Sequence, residues 1–177
     1  MEKKSILELE RLSTSQYQKV DKLPFIVVLD NVRSLNNIGS VFRTSDAFLV
    51  EEIYLCGITA TPPHTDIHKT ALGAEDSVKW SYFSDTKEAV DKLHAMGYVV
   101  YSIEQVKDSI SLETIKLDKS QKYAVILGNE VKGVQQEVVD MCDGCIEIPQ
   151  FGTKHSLNVS VTAGLVIWDF FKQLQSK

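Results

Sequence analysis

No stretch of this sequence approaches the roughly 20 consecutive apolar residues of a membrane-spanning helix, and the opening segment MEKKSILELERL is too charged for a secretory h-region. A soluble, cytoplasmic chain is therefore expected. Cysteine is scarce: the three thiols, Cys56, Cys142 and Cys145, cannot build a disulfide framework and suit a reducing compartment. Cys142 and Cys145 form a CxxC pair without a second pair to complete a zinc site. His64 and His68 stand four apart, but behind Pro62 and Pro63 and without the glutamate of HExxH. No metal is expected. Positive charge is not in excess, and a net charge of -5 argues against indiscriminate coating of nucleic acid while leaving room for a local basic patch. Neither the dinucleotide fingerprint GxGxxG nor the phosphate-loop pattern is present, which disfavours those cofactors. Internal repeats and low-complexity linkers are missing too, so one domain is expected over residues 23–177, behind an N-terminal extension over 1–22.

What is present is an alternation of two patterns. Apolar residues make up 44% of the 177, enough to bury about two-thirds of the unfolded surface. Continuous apolar runs at 24–30, 51–57, 98–103, 122–128 and 145–148 read as strands covered on both faces, with a weaker strand at 78–83. Helical spacing appears at 37–48, 67–72, 85–96 and 134–141, and an amphipathic helix over 5–14 is expected outside the main core. Strands alternating with helices predict an α/β fold, a mostly parallel sheet sandwiched by helices. Two long irregular stretches, 57–66 and 104–121, are of a length that more often serves function than idles.

The segment IEIPQFGTKHSLNVSVTAGLVIW, residues 146–168, is the most distinctive. A short strand stops at Pro149, a polar turn follows, and a long apolar helix begins after Ser156, Leu157 and Asn158, one of the two polar residues serving as N-cap while the other points elsewhere. On a helical wheel Val159, Ala163, Val166 and Phe170 form one apolar stripe, and Val161, Leu165 and Trp168 form a second on the opposite side. The second stripe needs a cover, most simply another copy of the chain, so a homodimer through this helix is expected.

Ligands in open α/β sheets bind beyond the carboxyl ends of the strands, which draws attention to three post-strand segments. In the first, Ile38, Val41, Phe42, Ser45 and Leu49 share the core face of a helix while Arg43 points away. Gly39, lacking a side chain on Arg43's side, would leave space beside the helix N-terminus that suits an anion; the plainer reading is a solvated arginine. In the second, Gly128 and Gly133 bracket Asn129 and Glu130, as turn glycines or as room for a ligand lying against Gly128. In the third, Gly152, Ser156 and Asn158 come without a histidine and carboxylate spaced for a serine nucleophile. Arg33, Lys69, Lys154 and His155 are either phosphate contacts or ordinary surface charge.

Taken together, Asn37–x–Gly39–x–x–x–Arg43–Thr44, then Gly128–Asn129–Glu130–x–x–Gly133, then Ile148–Pro149–x–x–Gly152 running into Ser156–Leu157–Asn158–Val159–Ser160, the chain resembles the SpoU/TrmH branch of the SPOUT RNA methyltransferases from about residue 25 to about residue 170. The resemblance implies a homodimer whose C-terminal third is threaded into a deep trefoil knot. It implies S-adenosylmethionine bound in that knot by Leu127, Gly128, Asn129, Gly133, Ile148, Gly152, Ser156 and Leu157, and methylation of a ribose 2′-hydroxyl of tRNA or rRNA. Arg43 would act at that hydroxyl, with Asn37, Glu130, Ser156 and Asn158 orienting it, the ribose or the adjacent phosphate. RNA would be held by Arg33, Arg43, Lys69 and Lys154. Asn129 stands where many relatives carry a small residue and Val131 where many carry glycine. The rival expectation is an RNA-binding or ribosome-assembly factor that keeps the fold without turning over.

Overall fold

A run such as FIVVL leaves no polar face for water, so it can lie only inside a sheet covered on both sides. The computed structural model describes residues 3–5 and 11–175. Among them are seven strands: β1 (Leu23–Asp30), β2 (Val50–Cys56), β3 (Trp80–Phe83), β4 (Tyr98–Ile103), β5 (Ile110–Ser111), β6 (Lys122–Leu127) and β7 (Gly144–Glu147). Every ladder is parallel, in the order β3-β2-β1-β6-β4-β7-β5. The helices are α1 (Thr14–Tyr17), α2 (Leu35–Ala47), α3 (Thr65–Ala71), α4 (Ala74–Ser77), α5 (Thr86–Ala95), α6 (Gln136–Val139) and α7 (Val159–Leu174).

Alternation along β1 divides the core. Phe25, Val27 and Leu29 face the residues of α2, α3 and α7, whereas Ile26 and Val28 face those of α5 and α6. The first stripe of α7 buries as its spacing predicts, with Val159, Ala163, Val166 and Phe170 in the core and the Phe170 ring stacked 4.7 Å from Phe25. Val161, Leu165 and Trp168 stay exposed at 51, 44 and 47%. The Trp168 ring leans on Phe48, at the end of α2, and on Phe171.

β1 passes the chain toward β2 on one side and β6 passes it toward β7 on the other, so their adjacent carboxyl ends flank a switch point. β4 lies between β6 and β7, which delivers residues after Ile103 between the loops that follow those two strands. No helix among the described residues is long and apolar enough to cross a membrane.

Several boundaries differ from expectation for identifiable reasons. The helix expected over 134–141 shortens to Gln136–Val139 because neighbours hold the preceding backbone: Val134 N–H donates to Glu104 and Gln135 N–H to the buried Asp30 carboxylate. Leu49, expected on the core face of α2, lies beyond its end with φ 55°. β5 and α4 were not expected, being too short to show a period. The 57–66 stretch is structural in part: Thr59 Oγ1 donates to the Leu29 carbonyl and accepts from Val32 N–H, and His64 caps α3 by accepting from Asp66 N–H. Of the helix expected over 5–14, residues 6–10 lie outside the described residues; residues 11–13 lead into α1, which Ser13 caps and whose Tyr17 is buried in the core.

Candidate functional site

The loop after β6 is a closed turn. Asn129 and Gly133 exchange both backbone hydrogen bonds, and Asn129 Oδ1 accepts from Val131 and Lys132 N–H at 2.9 and 3.1 Å. Its amide donates to the Asn31 carbonyl at 2.8 Å, fixing the turn to the end of β1. Gly133 sits at φ 68°, where a side chain is strained, and it also presses against the Glu104 carboxylate. Of the two readings open for Gly128, the packing supports the turn: a Cβ there would strike the Gly133–Val134 backbone, so its missing side chain lets the turn close.

That closure aims Glu130 across the switch point. Its carboxylate accepts from Arg33 N–H at 2.9 Å, Ser34 N–H at 2.8 Å and Asn37 Nδ2 at 3.1 Å. Burial alone would raise the carboxyl pKa, but donation from the Arg33 and Ser34 backbone, its own N–H and the Asn37 amide outweighs it, and the net shift is downward. Asn37 Oδ1 in turn accepts from Asn158 Nδ2 at 3.1 Å, and Asn158 Oδ1 accepts from Ser160 N–H and Val161 N–H at the start of α7. The direction of this relay is fixed by its ends. A carboxylate only accepts and helix N–H groups only donate, so both asparagine amides have one workable orientation. Asn158 is thus the N-cap, and Ser156 is the residue left to point elsewhere.

Beside the relay opens a cavity of about 680 Å³. Of the expected site residues, Leu127, Gly128, Asn129, Glu130, Gly133, Ile148, Ser156, Leu157 and Asn158 line it, as does His155. Asn37 joins through the relay; Gly152, Arg33, Arg43, Lys69 and Lys154 are not among its lining residues. Arg43 is exposed on α2. The space expected beside it does not exist, because α3 packs against Gly39 so closely that a Cβ would collide with the Ile67 carbonyl and Thr70 Oγ1. Lys69 is paired with Asp66 at 2.6 Å. Several lining residues were not expected at the site, Glu104 and Gln105 among them: no motif marks these two, which open the irregular 104–121 stretch, and the position of β4 in the strand order brings them here.

Chemically the cavity offers two surfaces. Leu127, Val134, Ile146, Ile148 and Leu157 suit a flat apolar group, while the carboxylates Glu104, Glu130 and Glu147 outnumber Lys132 and favour a cationic one. Cys142 and Cys145 donate to the Val138 and Glu104 carbonyls, and burial pushes the Cys142 thiol up to about 12 and Cys145 in the same direction, so neither supplies thiolate at neutral pH. No group of His, Cys, Asp or Glu able to hold a metal ion occurs among the described residues.

Comparison with known proteins gives consistent matches. The model of the SpoU rRNA Methylase family matches residues 24–168. The 23S rRNA (guanosine-2'-O-)-methyltransferase RlmB of Nitrosomonas europaea is 30% identical over 149 residues, covering 84% of this chain and 56% of its own length. The tRNA (guanosine(18)-2'-O)-methyltransferase of Aquifex aeolicus is 30% identical over 155 residues, 86% of this chain and 71% of its own. Among solved structures, the AdoMet-bound rRNA methyltransferase from Sinorhizobium meliloti superposes with a TM-score of 0.79 at 25% identity, over 94% of this chain and 62% of that one. The chain spans less than two-thirds of the length of several curated relatives that it matches.

Proposed function

Because the chain belongs to the SpoU rRNA Methylase family, we propose that it binds S-adenosylmethionine in this cavity and transfers a methyl group to a ribose 2′-hydroxyl of cytoplasmic tRNA or rRNA. The observation that carries this reading is the relay Glu130–Asn37–Asn158, which hydrogen-bonds three distant motif segments together on the rim of a cavity of fitting size and chemistry. A cavity of 300–1,000 Å³ is the usual range for such ligands, and its apolar wall and acidic rim match an adenine at one end and positive charge at the other. When bound, the cofactor supplies an electrophilic methyl carbon on a sulfonium. Leu127, Ile148 and Leu157 would flank the adenine, with Glu104, Glu130 and Glu147 contributing the negative field.

The acceptor hydroxyl must be held in line and relieved of its proton as it attacks. Arg43 is assigned that end of the reaction. A guanidinium is a poor base at neutral pH, so Arg43 either loses its proton in a dry site beside phosphate or stays charged and stabilises the developing alkoxide. Since Arg43 does not line its own chain's cavity, bound RNA or a second copy must bring the two together. The exposed stripe of α7 supports that second copy, and the reading includes a homodimer through α7 and the knotted threading of the family. Arg33 and Lys154, both exposed, are assigned to phosphate contacts.

Calorimetric titration with S-adenosylmethionine, followed by tritiated methyl transfer to total tRNA and rRNA, tests the reading. Saturable binding and alkali-stable label at a 2′-oxygen are expected. Cofactor binding without transfer to either RNA pool would leave the silent RNA-binding factor standing; absence of cofactor binding would overturn the proposal.

A further inference from the structure

The strand order places β4 between β6 and β7, so the two residues that follow β4 emerge between the two walls of the cavity. Each takes hold of a different wall. Glu104 Oε2 accepts from Val134 N–H at 3.1 Å, on the wall built by the turn after β6, while Glu104 Oε1 accepts from Gln105 N–H at 2.9 Å. Gln105 Nε2 donates to the His155 carbonyl at 2.8 Å, on the wall that runs from β7 to α7. The base of the pair is fixed as well, since Glu104 N–H donates to the Ile146 carbonyl and Cys145 Sγ to the Glu104 carbonyl. Gly133 completes the fit: its bare Cα lies where any side chain would displace the Glu104 carboxylate.

We infer that Glu104 and Gln105 are positioning residues, a clasp that holds the two walls at one separation and thereby sets the affinity for S-adenosylmethionine, a role that rests on the methyltransferase reading above. Segment 151–158 is exposed throughout. The Gln105 bond fixes its position relative to the turn at Gly128–Gly133, and cutting that bond lets the cavity widen without unfolding the sheet.

The test uses variants of the full chain at Gln105, an exposed side chain whose loss does not open the core. Gln105→Glu keeps the shape and removes the donor; Gln105→Lys keeps a donor of similar reach. Loss of one hydrogen bond of this kind predicts about a five- to tenfold weaker cofactor affinity by calorimetry in Gln105→Glu, with the single-turnover rate at saturating cofactor within about twofold of wild type and the melting temperature unchanged. Gln105→Lys should recover most of the affinity. Electrostatics predicts the reverse order, because glutamate would attract a sulfonium and lysine repel it, so weakening by glutamate with recovery by lysine identifies the hydrogen bond. Wild-type affinity in Gln105→Glu, or equal weakness in both variants, overturns the clasp. A wild-type protein that binds no S-adenosylmethionine overturns the methyltransferase reading itself.

Discussion

At the scale of single residues, the relay makes predictions that depend on which atom donates. Asn158→Asp keeps the oxygen that caps α7 but turns an acceptor toward Asn37 Oδ1, whereas Asn158→Ala removes both bonds. Urea denaturation should show a loss of about 1–3 kcal/mol for alanine, from a helix cap and a part-buried hydrogen bond, and a smaller loss for aspartate; methyl transfer should fall in both. Glu130 gives a pH signature. Its folded pKa is depressed, so its contribution to stability is complete above the ordinary glutamate value of about 4.3 and is lost as pH falls through the lower folded value. The difference in melting temperature between wild type and Glu130→Gln should accordingly be largest near neutrality and shrink below about pH 4. At Arg43, both Arg43→Ala and Arg43→Lys should lower single-turnover methylation by about two or more orders of magnitude with cofactor affinity nearly unchanged, since a point charge cannot reproduce the guanidinium fork. Near-wild-type rates at saturating RNA would reduce Arg43 to a binding residue. Sequence made two segments of the cavity wall legible, because Gly128–Gly133 and Ser156–Asn158 carry motif spacing. It marked Glu104 and Gln105 only as the start of a long irregular stretch, because their positions depend on which strands become neighbours, and it misassigned Gly39, whose missing side chain admits protein backbone.

At the scale of elements, the close approach of α2 and α3 is set by Gly39, where the neighbouring helix fills the place of a side chain. Gly39→Ala improves helix propensity, yet it should destabilise by about 1–3 kcal/mol because the added Cβ would collide with the Ile67 carbonyl, a backbone atom that moves only with α3. Thermal or urea unfolding decides between the two effects, and stabilisation would mean that the helices separate freely. Strands β1, β2, β4 and β6 were readable because continuous apolar runs have one physical explanation, burial on both faces. The parallel α/β arrangement followed from their alternation with helices. The ends were less readable. α6 is cut short by Asp30 and Glu104, residues distant in sequence that take the backbone donors of Val134 and Gln135, and β5 has only two residues in which to display any pattern.

At the scale of the whole molecule, the exposed stripe Val161, Leu165 and Trp168 should close the assembly. Sedimentation is expected to give a dimer at micromolar concentration, and Trp168→Glu a folded monomer, since the ring is half-exposed beside Phe48 and Phe171 within its own chain and a charge buried in an interface there would be costly. A wild-type monomer at that concentration would refute the dimer. The parallel sheet has a further consequence, for synthesis on the ribosome. β1 and β6 pair across almost a hundred residues of sequence, and β1 from Phe25 to Leu29 is wholly buried only when both of its ladder edges are filled. Its β2 partner emerges soon after it. Its β6 partner follows about 5–20 s later at ordinary elongation rates, and during that interval the nascent chain presents an apolar strand with one open edge. Nascent chains released before β6 has emerged should therefore be captured by chaperones or aggregate, while those released after α7 should reach the folded state.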